Sequence, residues 1–172
     1  LPHTTAAATK FDTCPNSLSL CTAGSFVKSV QTTSRTGSTQ TTVPVAPPLV
    51  LHAKGSLAGG QGPNVEVRRN GSLVGTATVF STTLQDYSFP DVVLLPGDRI
   101  DVVFTNDASI GEEDRNLFVS SLSSGSVVMR PGDAGSYIDI GEGTAAFDGI
   151  ELESATVYGG WVPWNAAMRL LV

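Results

Sequence analysis

The chain has 172 residues and a formal net charge of -6, and only 15% of it is charged, against about 25% in ordinary soluble domains. A hydrophobic share of 41% supports one packed domain and excludes wholesale disorder. With three lysines (Lys10, Lys28, Lys54) and no basic run, nothing neutralises a phosphate backbone, so nucleic acid is excluded as a partner.

No apolar stretch reaches the roughly 20 residues of a membrane span, and a basic-then-apolar leader is absent, so the chain is expected to be soluble and already processed. The first element is an N-terminal arm, residues 1–21, ending in Cys14 and Cys21. Their spacing is too wide for a redox pair and no histidines stand by for zinc, which points to a local disulfide. Such a bridge persists outside the reducing cytosol, so a secreted or periplasmic protein is expected; two reduced, half-buried cysteines are the other reading. Ser25–Val30 carries β-branched residues and predicts a strand, and Val43–Pro48 must be extended because each proline fixes its own φ.

From Leu49 onward the apolar residues come in short runs divided by Gly, Pro, Asn and Asp, with no sustained helical period. Residues 22–172 are therefore read as one all-β domain, an antiparallel β-sandwich of jelly-roll type carrying the extended arm. Val65 and Val67 share a face, and Asn70-Gly71 supplies the positive φ of a two-residue hairpin turn between residues 64 and 79. Asn70-Gly-Ser72 is also a formal glycosylation acceptor, although the turn explains the same residues. Further strands are predicted at 85–89, 99–105, 116–122, 126–129, 149–152, 156–158 and 167–172. Within 99–105, Ile100, Val102 and Phe104 share the face that packs on a core.

Chemistry is limited by what is missing. His3 and His52 are the only histidines; neither stands in a nucleophile motif or an imidazole cluster, and no phosphate-binding glycine loop occurs. The segment between Phe104 and Phe118 instead concentrates oxygen: Asn106, Asp107, Glu112, Glu113 and Asp114, with Gly111 to let the loop fold back. Two readings stand on composition alone: a solvated acidic turn, or a hard cation such as Ca²⁺, which takes six to eight oxygens and relieves the mutual repulsion. The spacing is not that of an EF-hand.

The runs Leu51-His-Ala-Lys-Gly55, Gly62 to Gly71, Gln85-Asp-Tyr87, Ile100 to Asp107 and Asp114-Arg-Asn-Leu-Phe-Val119 resemble the calcium-dependent xylan-binding carbohydrate-binding modules, families sixty and thirty-six. The resemblance covers about residues 50–125. It implies a β-sandwich whose loop-bound Ca²⁺ is itself ligated by two neighbouring sugar hydroxyls, with Asp107 and Asp114 as side-chain ligands and a main-chain carbonyl near Glu113 as a third. Within the loop, Asn106 and Glu113 complete the candidate metal set; Asp107, Asp114, Arg115 and Asn116 form the candidate sugar-contacting set. The chain departs from the pattern at Ser120, where such modules often carry Asp, and it continues well past the last block. In that extension Ala146–Glu151 is similar to an early strand of family thirty-six.

The extension also holds Tyr158-Gly-Gly-Trp-Val-Pro-Trp164. Trp161 and Trp164 have two readings, a plug for the sandwich interior or a platform for sugar rings. Glu151 and Glu153, two apart on a predicted strand, would share a face about 6–7 Å apart, near the separation of glycosidase carboxylates, but nothing announces the cleft such a pair needs. The sequence thus predicts a non-catalytic, calcium-dependent binder of a polysaccharide or glycan. The rival reading is a structural subunit that self-assembles through the N-terminal arm, with calcium only rigidifying the loop.

Overall fold

The structure is a computed structural model that describes residues 46–172; the arm, the Cys14–Cys21 bridge and the strand expected at Ser25–Val30 lie outside the described residues. The elements form two main sheets with every pairing antiparallel. In the first, β12 (Trp161–Val162), β8 (Leu117–Ser124), β1 (Pro48–Gly55) and β4 (Gln85–Asp91) follow one another. There β9 (Val127–Met129) pairs the same edge of β8 as β12 does, at the other end. The second runs β11 (Leu152–Ser154), β10 (Tyr137–Asp139), β13 (Ala167–Leu171), β5 (Arg99–Phe104), β2 (Asn64–Arg69) and β3 (Ser72–Thr78). A small hairpin, β6 (Ala108–Ile110) with β7 (Glu113–Arg115), stands apart from both. A 3-10 turn covers Gly143–Phe147, and a one-turn helix, α1, covers Ala155–Tyr158.

The core follows from strand alternation. Leu49, Leu51 and Ala53 of β1 and Leu117, Val119 and Leu122 of β8 meet Val65 and Val67 of β2, Ile100, Val102 and Phe104 of β5, and Met168 and Leu170 of β13, all almost completely buried. In β8 a strict period of two would carry Ser121 inward after Val119. The pairing of Ala53 with Val119 and of His52 with Ser121 skips Ser120, and this one-residue bulge returns Leu122 to the core. At the β2–β3 turn Asn70 and Gly71 both adopt positive φ, 50° and 85°, as the two-residue hairpin requires. The Asn70 amide donates to Asp98 Oδ1 at 2.8 Å, and its oxygen accepts from Arg99 N–H at 3.0 Å, so the side chain serves the turn.

Three expectations are corrected. The strand expected at 156–158 is α1: β-branched Thr156 and Val157 suggest a strand, but buried Ala155 bonds through its N–H to Ser136 O and Gly159 closes the turn at φ 58°. The strand expected at 149–152 begins only at Leu152, because Glu151 sits at φ 57°. Glu151 and Glu153 therefore do not alternate along one strand, and Glu153 accepts a hydrogen bond from Tyr158 Oη at 2.6 Å. Finally, Ala146–Glu151 is not a strand: Ala146 and Phe147 lie in the 3-10 turn, and the segment after them turns back toward β11.

The second sheet is buried on both faces at its centre. Asp101 of β5 is fully buried and accepts from Arg169 of β13 at 2.8 Å and from Arg99 at 3.0 Å; Arg169 also donates to buried Asp139 of β10 at 2.7 Å. Removing one member leaves an uncompensated buried charge, so Asp101→Ala is expected to lower stability by about 3–5 kcal/mol, read from the urea midpoint. An unchanged midpoint would mean the network is not closed in solution.

Asp98, at the β4–β5 turn, is held below its ordinary pKa first by the Leu95 N–H, then by hydrogen bonds from Arg69 and Asn70. A depressed carboxyl contributes stability above its unfolded pKa of about 3.9 and loses it as pH falls through the folded value. The wild type should therefore exceed Asp98→Asn in urea midpoint at pH 7, with the gap closing as the pH drops below about 4. A gap that stays constant with pH would contradict the assignment.

Candidate functional site

The acidic segment forms the β6–β7 hairpin, turned at Gly111 with φ 64° and registered with Ser109 opposite Asp114. Strand alternation sends successive side chains of β7 to opposite faces. Asp114 and Asn116 face outward, and Asn116 Nδ2 donates to Asp114 Oδ2 at 2.8 Å. Arg115 between them points inward and is buried. Its guanidinium donates to three main-chain carbonyls: Gln61 at 3.0 Å, Asn106 at 2.5 Å and Ala58 at 2.5 Å. That grip ties the 58–61 turn to the start of the acidic segment. Ser56 adds a second tie, its hydroxyl donating to the Asp114 carbonyl and accepting from Asn116 N–H at 2.9 Å.

Asp107 immediately precedes β6, and its N–H donates to Asn165 Oδ1 at 2.8 Å. Asp107, Asp114 and Asn116 thereby line one open pocket of about 520 Å³ together with Trp161, Val162, Pro163 and Trp164, within the usual size of small-ligand sites. The Asp107 carboxyl is held above its ordinary pKa, first by partial desolvation and next by the negative charge of Asp114, with Arg115 and the Ala108 N–H pulling the other way. The repulsion anticipated from composition is thus concentrated on two carboxylates.

Not every candidate reaches the pocket. Asn106 Oδ1 accepts from Asn64 N–H at 2.6 Å and its amide donates to Gly62 O at 3.1 Å, so this side chain staples β2 to the loop. Glu113 Oε2 accepts from Gly59 N–H at 2.7 Å, leaving its main chain as the closer match to the role given it. Arg115 has its donors on backbone carbonyls and sits beneath the pocket.

The tryptophans are not core plugs: Trp161 is 45% exposed and Trp164 54%. Trp161 packs edge-on against Phe118, ring centroids 5.2 Å apart and planes at 71°. Trp164 holds φ at 31°, a left-handed conformation that costs a bulky residue on the order of 1–3 kcal/mol and collects at functional sites. Asn165 is the site residue that sequence reasoning missed, because its partner is a backbone N–H on a different strand connection. β12 can approach β8 only because residue 160 is glycine: it adopts φ 99°, and an added Cβ would stand 2.7 Å from Val119 O and 2.9 Å from the Phe118 ring. Gly160→Ala is accordingly expected to cost about 1–3 kcal/mol and to shift tryptophan emission; unchanged emission and an unchanged urea midpoint would refute the close approach.

Residues 48–139 match carbohydrate-binding module family sixty, described as a Ca-dependent, xylan-binding carbohydrate-binding module. Among solved structures the chain is similar to one described as vCBM60 in complex with galactobiose, with 20% identity and a TM-score of 0.50 over 72% of this chain and 97% of that one. It is also similar to a selenomethionine form of vCBM60, described as linking two families of calcium-dependent modules by circular permutation; identity is 19% and TM-score 0.49 over 73% of this chain and 91% of that one. The first likeness is one of fold. No curated protein matches the chain.

Proposed function

The chain belongs to the Ca-dependent, xylan-binding family sixty of carbohydrate-binding modules, and on that premise we propose that it binds a polysaccharide through a Ca²⁺ ion held by Asp107 and Asp114. Neighbouring hydroxyls of a sugar ring complete the ion's shell, and Trp161 and Trp164 flank the sugar. The observation that carries this reading is that two repelling carboxylates and two exposed tryptophans, far apart in sequence, line the same pocket.

The donor set suits a hard cation, being oxygen only. Among the described residues no group of three or more His, Cys, Asp or Glu side chains gathers to hold a metal. Such an ion would draw the rest of its shell from main-chain carbonyls, the Asn116 amide, water and sugar. An ion with few protein ligands keeps positions open for guests, and recognition by a pair of hydroxyls tolerates different sugars. The aromatic rings supply apolar faces for the C–H faces of a pyranose. The proposed role is binding without catalysis. The setting we infer is extracellular, supported by the scarcity of lysine and the close spacing of Cys14 and Cys21.

Affinity electrophoresis in xylan and galactan gels, with calcium and with chelator, tests the proposal. Retardation is expected only with calcium. Asp107→Ala and Asp114→Ala should each weaken calorimetric Ca²⁺ binding by tenfold or more, about 1.4 kcal/mol, with the thermal midpoint measured alongside to show that the variants are folded. Equal mobility with and without chelator, or full Ca²⁺ affinity in a folded Asp114→Ala, would overturn it.

A further inference from the structure

Strand register on the outer face of the first sheet aligns three side chains across neighbouring strands: Lys54 of β1 is paired with Phe118 of β8, and Phe118 with Trp161 of β12. The Lys54 Nζ lies over both rings, 5.1 Å from the Phe118 centroid and 5.8 Å from that of Trp161. Because the two rings meet edge-on, they form a corner that holds the ammonium by cation–π attraction. No carboxylate among the described residues pairs with it. Trp161 thus belongs both to the lining of the carboxylate pocket and to the corner that holds an unneutralised positive charge.

We propose that Lys54 reads a uronate carboxylate on the bound polysaccharide, selecting chains whose sugar backbone carries acidic substituents. The inference rests on the proposed binding pocket and extends it. A chain seated at Asp107 and Asp114 that continues past Trp161 reaches the Lys54 ammonium. The unneutralised ammonium favours an acidic group at that end of the pocket. Phe118 and Trp161 restrict the flexible lysine stem beforehand, lowering the ordering cost that weakens most exposed ion pairs.

The test compares two polymers, a glucuronic-acid-substituted xylan and the same xylan after carboxyl reduction, titrated against the full chain with calcium present. The wild type is expected to bind the acidic polymer about two- to fivefold more tightly at low ionic strength, the range of an exposed ion pair, and the preference should shrink as added salt shortens the Debye length. Lys54→Met, which keeps much of the apolar stem, should abolish the preference, and Lys54→Arg should keep it. Equal binding of both polymers by the wild type, or a preference that survives in Lys54→Met, would overturn this inference while leaving the pocket reading intact. Failure to bind either polymer would overturn both.

Discussion

Two carboxylates facing one pocket repel each other, and the site exists because the scaffold holds Asp107 and Asp114 together despite that repulsion. The hold comes from beneath. Arg115 fixes its guanidinium on the carbonyls of Ala58, Gln61 and Asn106 and forms no ion pair with its acidic neighbours, which anchors the hairpin to an adjoining turn. Had Arg115 pointed outward, its guanidinium would have stood in the pocket beside the two carboxylates and offset their charge. Strand alternation alone decides this: in a three-residue strand, Asp114 and Arg115 cannot share a face. Asn165 performs the matching task on the other carboxylate, accepting from the Asp107 N–H without touching its charge. Ties to main-chain atoms position the backbone, and the negative side chains stay available.

Much of the scaffold was legible because local chemistry and tertiary environment agree. Asn70-Gly71 demands positive φ and obtains it; Ile100, Val102 and Phe104 alternate toward the core and are fully buried there. Legibility failed where one residue breaks a period or a distant partner decides. The bulge at Ser120 resets the inward face of β8, and nothing in Ser-Ser-Leu marks it beforehand. Thr156 and Val157 carry strand propensity, yet the chain must reverse between β11 and β12, and Gly159 with buried Ala155 settles that reversal as a helical turn. Propensity there is worth tenths of a kcal/mol and yields to packing.

The site was legible by half in the same sense. Asp107 and Asp114 stand out because acidic side chains so crowded in a short loop need a reason. Their neighbours Asn106 and Glu113 share that composition but spend their oxygens on the N–H groups of Asn64 and Gly59, a distinction no spacing rule makes. The tryptophans could have gone inside or outside by composition, since large aromatics serve both. What puts Trp161 outside is a two-residue strand whose alternation buries Val162 instead, and what allows that strand at all is the missing Cβ of Gly160.

The stretch beyond the family match is consequently part of the pocket's architecture. β13 is inserted between β10 and β5 in the middle of the second sheet, and its Arg169 joins Asp101 of β5 to Asp139 of β10 in a fully enclosed network. Buried ion pairs are poor sources of net stability but expensive to break, which makes them effective at fixing register. β5 runs directly into Asn106 and Asp107, while the segment leading into β13 carries Trp161, Trp164 and Asn165. Register between β5 and β13 therefore sets the distance between carboxylates and aromatic wall. A one-residue slip would swing Arg169 away from Asp101 and Asp139 onto the face that holds Met168 and Leu170, and carry Asn165 off the Asp107 N–H in the same movement, so the charge network in the sheet and the geometry of the pocket are two consequences of one pairing.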